Sequence, residues 1–349
     1  MQQQQHNTLS SFYLMQWWCG LHRHVGSIAA TCRRSFSVAI VGAGPVGLTL
    51  AILLKRMNVR VVVLERLHEP SNHPRAHFIN MRSMEIFREL HGTIPAKLVA
   101  LSPAQQEWRR FSYCSSVLGK QIASFDHFKD SSDKYRSTLS PERVLHLNQP
   151  DLLNVLLSHA QSLGIEVKFG TQVLSCSNGP DNKVQASVKD LNTGGSETFT
   201  CEYLVGTDGA SSTVRESMKI PMTGNEKTHN FIGIHFHCPN ILPLLEARGI
   251  SPSMLSFIFN QHTIGVLVSH DISRGNFILQ LPYFFPYQTL EEDFSQDKCK
   301  ALIRHAFGAD IQPTIMSVRA WRMTAKVAER YGPWTRRLPV SLYFIGRDR

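Results

Sequence analysis

Apolar and polar positions along this chain follow two rhythms. Residues 37–66 read SVAIVGAGPVGLTLAILLKRMNVRVVVLER. Val38 to Val41 predict a short buried strand, Val46 to Met57 recur with a helical period, and Arg60 to Leu64 predict a second, β-branched strand ending on Glu65. Further on, Tyr203 to Gly206 predict a strand and Ser212 to Met218 a helix. Between 220 and 312 the rhythm shortens to two. Phe231 to His237 and Asn276 to Pro282 alternate as strands with one buried face, and CKALIRHAFG predicts a helix. A last strand-like run, SLYFIG, occupies residues 341–346. Strand, helix and strand near the start predict an α/β fold with a parallel sheet; the period-two middle predicts an inserted β-rich lobe.

Residues 38–54 are almost wholly apolar, but three glycines and Pro45 interrupt them. The run is also shorter than the ~20 residues of a membrane span. No transmembrane segment is expected.

Composition narrows the classes. At 349 residues and 42% apolar content, the chain has enough sequence for two packed lobes. The net charge of +10 is scattered, with no Lys/Arg block that would track phosphates, so nucleic acid is not the expected partner. Seven cysteines, none in a C-x-x-C pair, indicate reduced thiols. Residues 1–36 differ from the rest. They lack Asp and Glu, carry Arg23, Arg33 and Arg34, and close on RRSFS. That composition predicts a transit peptide cleaved after Phe36, for the mitochondrion or, alternatively, the chloroplast.

The turn after the first strand is G-x-G-x-x-G: Gly42, Gly44 and Gly47. Gly42 permits the tight turn, Gly44 lets backbone approach a pyrophosphate, and Gly47 lets helix sit close on strand. Pro45 and Val46 open a helix whose N-terminus offers free N–H groups to phosphate. Glu65, followed by Arg66, stands about 20 residues further on, where an acid accepts hydrogen bonds from ribose hydroxyls. Together these predict a Rossmann-type dinucleotide site for FAD or NAD; a glycine-rich turn in another α/β protein is the alternative.

Three further stretches carry a resemblance. YLVGTDGASSTVRESM (203–218) contains Asp208, Gly209, Ser212, Val214 and Arg215, which match the D-G-x-x-S-x-V-R fingerprint of class A flavoprotein monooxygenases. HPRAHFINMRSMEIFREL (73–90) and LNQPDLLNVLL (147–157) resemble the segments that place an Arg and a Gln along FAD, here Arg75 and Gln149. A surface ion pair for Arg75 and a helix cap for Gln149 are the plainer readings. Leu153 stands where the family often has Glu. From about 37 to 346 the chain resembles FAD-dependent aromatic hydroxylases of the phenol- and polyketide-hydroxylase branch.

The resemblance implies a Rossmann-type FAD-binding domain from 37–104, 147–219 and 313–349, with a β-rich substrate domain from 105–146 and 220–312. It implies FAD as cofactor, NAD(P)H as donor, and oxygen transfer from a flavin C4a-hydroperoxide to a small phenol-like substrate. Asp208 would lie at the ribityl and pyrophosphate region, with Arg215 supporting. The family's third flavin motif follows a strand like SLYFIG, but here only Gly346, Arg347 and Asp348 remain before the end. This form is therefore expected to be impaired. A non-catalytic nucleotide-binding form, or a flavin reductase or dehydrogenase on the same fold, is the alternative.

No catalytic residue is assigned. Tyr283, His235 and His262 are the candidates for a base. His235, His237 and Cys238 lack a fourth ligand and a common face, so no metal is expected. Phe284, Phe285 and Tyr287 are expected to pack under the sheet or to line an aromatic pocket.

Overall fold

A computed structural model describes residues 36–128, 140–225 and 229–331. The expected transit peptide, apart from Phe36, and the strand at 341–346 lie outside the described residues.

The first strand, β1 (Val38–Val41), is buried at every position. It leads through the glycine turn into α1 (Pro45–Arg56), which carries Pro45 in its first turn and Lys55 and Arg56 in its last, where cations suit the carbonyl end. β2 (Val61–Leu64) is again buried throughout, as a central parallel strand must be. β3 (Phe78–Ile79), α2 (Met81–Leu90) and α3 (Thr93–Leu101) follow. Next come β4 (Arg110–Cys114), β5 (Gln121–Asp126), β6 (Leu145–His146) and α4 (Gln149–Ser162). Then β7 (Glu166–Lys168), β8 (Thr171–Asn178), β9 (Val184–Asp190), β10 (Ser196–Cys201) and β11 (Tyr203–Gly206) complete the first sheets. Strand order β11-β1-β2-β7, all parallel, makes the predicted dinucleotide sheet, and α1 packs beside α4.

After α5 (Thr213–Ser217) and β12 (Met222–Asn225) the chain enters the larger sheet. Its remaining elements are β13 (Asn230–His237), α6 (Ile241–Glu246), β14 (Leu255–Phe259), β15 (Ile264–Asp271), β16 (Asn276–Pro282), α7 (Gln296–Phe307) and β17 (Thr314–Arg322). The order is β17-β13-β16-β15-β14-β4-β5, antiparallel except between β14 and β4. Ile232, Ile234, Phe236, Leu279 and Leu267 point to one side and pack with Ile303 and Phe307 of α7. β18 (Ala325–Ala328) pairs with β12.

Within the segment 313–349 that the resemblance gave to the FAD-binding domain, β17 pairs along its length with β13 and forms the edge of the seven-stranded sheet. One expectation changes. Phe284, Phe285 and Tyr287 neither pack under the sheet nor line a pocket: they are 63%, 68% and 90% exposed. The chain leaves the sheet at Pro282, so the aromatics fall in the turn beyond its last buried residue, Leu281.

Candidate functional site

The glycine turn is fixed from three sides. Gly42 has φ +102°, and a Cβ there would meet Thr207 O at 2.7 Å. A Cβ on Gly47 would run into the carbonyl oxygen of Gly42. Gly44 is the opposite case. It begins α1, and a Cβ there would meet nothing within 4 Å, so its backbone faces open space. Glu65 closes the turn: its Oε2 accepts from Ala43 N at 2.7 Å and its Oε1 from Leu67 N at 2.9 Å. The sequence reading gave Glu65 to a ribose; the structure shows it fastening the turn.

On the opposite wall, β11 delivers Thr207 and Asp208. Thr207 Oγ1 shares its hydrogen between Val41 O (2.8 Å) and Gly42 O (3.0 Å). Asp208 accepts from Ser212 Oγ at 2.5 Å and from Val214 N at 3.2 Å, while Ser212 caps α5 by accepting from Arg215 N. The third wall is made where two distant segments meet. Gln149 N donates to Ala76 O at 3.1 Å and Leu147 N to His77 O at 2.9 Å, which sets Arg75 beside the start of α4. Asn148, not Gln149, is the cap of α4, leaving the Gln149 side chain to the cleft.

These walls enclose a cleft of about 260 Å³. Gly42, Gly44, Pro45, Val46, Glu65, Arg66, Arg75, Gln149, Asp208 and Gly209 all line it. Gly47 does not; it lies behind, at the helix–strand contact. Leu153 lines the cleft too, as do Thr207 and the residues Phe169, Thr171 and Gln172 around the β7–β8 turn. Sequence reasoning missed that last group. Thr207 sits inside the motif and was within reach; the turn residues carry no pattern. Arg75 is exposed, and no carboxylate pairs with it among the described residues. The donor set fits a dinucleotide: an open helix N-terminus, an unpaired guanidinium and side-chain acceptors for hydroxyls.

The loop that lines the cleft through Glu69, Pro70, Ser71 and Arg75 also carries His73 to the larger sheet. There His73 Nδ1 meets Ser317 Oγ at 2.7 Å, its ring stands 6.0 Å from His235, and its Nε2 would be 3.8 Å from a Cβ on Gly233. This is the face opposite α7. Across it, Arg319, Gly233, Gln280, Val266, Phe257 and Tyr113 fall in one register row. Burial first, then the charges of Arg319, His235 and Arg75, pulls His73 down to about 4. Burial also lowers His235, whose Nε2 lies 2.9 Å from Asn276 Oδ1.

Deeper in, three histidines touch. His146 Nε2 donates to Ser269 O at 2.7 Å, so its Nδ1 accepts from His77 Nδ1 at 3.2 Å. His270 stands 5.5 Å from His77, with its Nδ1 unpartnered. Burial pulls His77 down to about 3 and His146 to about 4, and His270 well below its ordinary value. Of the other expected groups, His237 is exposed and Cys238 buried, so they do not converge with His235.

Known proteins are similar to this chain. A family described as FAD binding domain matches residues 35–333. A putative polyketide hydroxylase of Streptomyces coelicolor is 28% identical over 311 residues, covering 84% of this chain and 46% of the relative. Aklavinone-11 hydroxylase, solved with FAD and aklavinone, superposes with TM-score 0.74 at 28% identity, covering 89% of this chain and 57% of that one. The flavin-dependent monooxygenase PieE, solved with FAD and substrate, gives TM-score 0.77 at 25% identity, with 89% and 53% coverage. The chain spans about half the length of the curated relatives it matches.

Proposed function

The chain belongs to the FAD binding domain family, and on that premise we propose that it serves an FAD-dependent monooxygenase acting on an aromatic ring. The observation that carries this reading is the convergence of Gly44, Glu65, Arg75, Gln149 and Asp208 on one cleft, next to a sheet face bearing Arg319, His235 and aromatic side chains.

The α1 N-terminus at Gly44 and Pro45 would hold the pyrophosphate, with Arg75 as its counter-charge. Glu65 would accept from the adenosine ribose, and Gln149 and Asp208 would bind the ribityl hydroxyls. FAD, when bound, supplies the redox chemistry that activates O₂. The chain's own residues bind, orient and shield. His73, on the loop between cleft and sheet, borders both sites.

NAD(P)H is the proposed donor, and the acid-free leader is proposed to direct the protein to the mitochondrion. The test is FAD titration by flavin fluorescence, with NADH and NADPH oxidation and O₂ uptake measured with and without a phenol. Saturable FAD binding that weakens about tenfold in Arg75→Gln supports the site. Phenol-dependent O₂ uptake supports the oxygenase. Reduction of flavin that no phenol stimulates would favour a reductase instead.

A further inference from the structure

Arg75 reaches the cleft from the segment 65–77, which joins β2 to β3. Both ends of that segment are fastened. Leu67 O accepts from Gly170 N at 2.8 Å, and His68 Nδ1 lies 2.9 Å from Asn192 Oδ1. At the far end Ala76 O and His77 O accept from Gln149 N and Leu147 N. Between them, one hydrogen bond among the described residues ties residues 69–75 to another element. It joins His73 Nδ1 to Ser317 Oγ of β17 at 2.7 Å. We propose that His73, anchored on Ser317, is a positioning residue for the cofactor, holding the loop so that Arg75 meets the phosphates. Its role toward phosphate rests on the FAD reading above.

The local sequence makes the anchor effective. In His73-Pro74-Arg75 the proline ring fixes its own φ and keeps His73 out of helical backbone. Pro74 is also buried. A stiff, buried link therefore separates the anchored imidazole from the guanidinium, and Ala76, one residue further on, is fastened to α4. Arg75 itself is exposed and has no carboxylate partner among the described residues. A long cation on a loose loop surrenders backbone and rotamer freedom when a phosphate binds; on a loop already held it surrenders less.

The anchor point belongs to the other sheet. Pairing with β13 fixes β17, with Ser317 opposite His235, and the His73 ring stands edge-on to His235 at 6.0 Å. Burial first, then the charges of Arg319, His235 and Arg75, keeps His73 neutral at pH 7, so the anchor adds no cation to repel Arg75. The cleft lining includes Ser71 and Arg75 but not His73. An effect of His73 on FAD therefore passes through its neighbours on the loop.

Two measurements on the full chain test this: FAD titration by flavin fluorescence, and the rate of tryptic cleavage after Arg75 without FAD. Ser317→Ala should bind FAD about fivefold more weakly, as the loss of one hydrogen bond gives, while Ser317→Thr, which keeps the hydroxyl, should stay within about twofold of wild type. In an Arg75→Gln background, Ser317→Ala should change FAD affinity by less than about twofold, because the anchor acts through Arg75. Without FAD, Ser317→Ala should speed cleavage after Arg75 about fivefold. Cleavage after Arg274, exposed in the β15–β16 turn, should keep its rate. An FAD affinity indifferent to Ser317→Ala, an equal loss in the Arg75→Gln background, or a rise after Arg274 matching that after Arg75 would each overturn the anchor. Wild type that binds no FAD removes the oxygenase reading, and the tryptic rates then decide the anchor by themselves. FAD binding by wild type, with Ser317→Ala unchanged in both assays, keeps that reading and removes the anchor.

Discussion

The cofactor cleft and the face of the seven-stranded sheet opposite α7 are built by different means. The glycine turn of the cleft is backbone: Gly42, Ala43 and Gly44, closed by one carboxylate. The sheet face is side chain: His73, His235, Asn276, Ser317 and Arg319, gathered from four segments. Backbone sites depend on local spacing, and at Gly42 and Gly47 they leave no room for an added carbon. Side-chain sites depend on strand register and are sensitive to protonation.

The sharpest break in this contrast is Gly47→Val. The new side chain meets the Gly42 carbonyl and Thr207, neither of which can yield, so a loss of about 3 kcal/mol or more is expected in urea unfolding. Gly44→Val should change stability by under about 0.5 kcal/mol while abolishing measurable FAD binding, since its side chain enters only the cleft.

Acid tests the histidine side. His77 and His146 are neutral in the fold, with values of about 3 and about 4 against an ordinary 6.5. Unfolding lets them take up protons. Their contribution is therefore complete above pH 6.5 and lost as pH falls from there toward 4. Each loses about 1.4 kcal/mol per unit within that window. Urea unfolding at pH 7 and pH 5.5 should differ by at least about 3 kcal/mol, because the lowered His73 and His270 act in the same direction, and His146→Phe should remove only about 1.4 kcal/mol of that difference. Glu65→Gln, which keeps one acceptor and removes the charge, should cost about 1–2 kcal/mol. Ser317→Ala, which removes only the partner of His73, should cost about 1 kcal/mol.

The same contrast explains what was legible. β1, β11 and β16 carry the boundaries that apolar rhythm predicts, and α1 is displaced by one residue at each end. Gly42, Gly44, Pro45, Val46 and Glu65 were legible because they lie at fixed offsets within one glycine motif, whereas Asp208, Arg75 and Gln149 were legible only through the resemblance. Gln149 needed more: only the neighbouring Asn148 cap shows that its side chain is released. Thr171 and Gln172 had no signal, since a turn that merely passes the cleft has no spacing of its own. On the sheet, period two gives the face of a strand but not its partner. That Ser317 meets His73 follows from β17 pairing with β13, a pairing that no sequence pattern names. The buried contacts among His77, His146 and His270 depend on three unrelated segments meeting.

Glu65 has one consequence for redesign. A common way to move such a site toward a phosphorylated nucleotide is to exchange the acid for a neutral or basic residue. Here the same carboxylate ties Ala43 to the end of β2. If Glu65 holds the ribose as proposed, ligand preference and loop rigidity share one side chain, and a substitution meant to admit an extra phosphate also unfastens the turn that must receive it. Any route to altered nucleotide choice would have to supply a new acceptor for the Ala43 amide first, so the order of mutations, and not only their identity, is constrained.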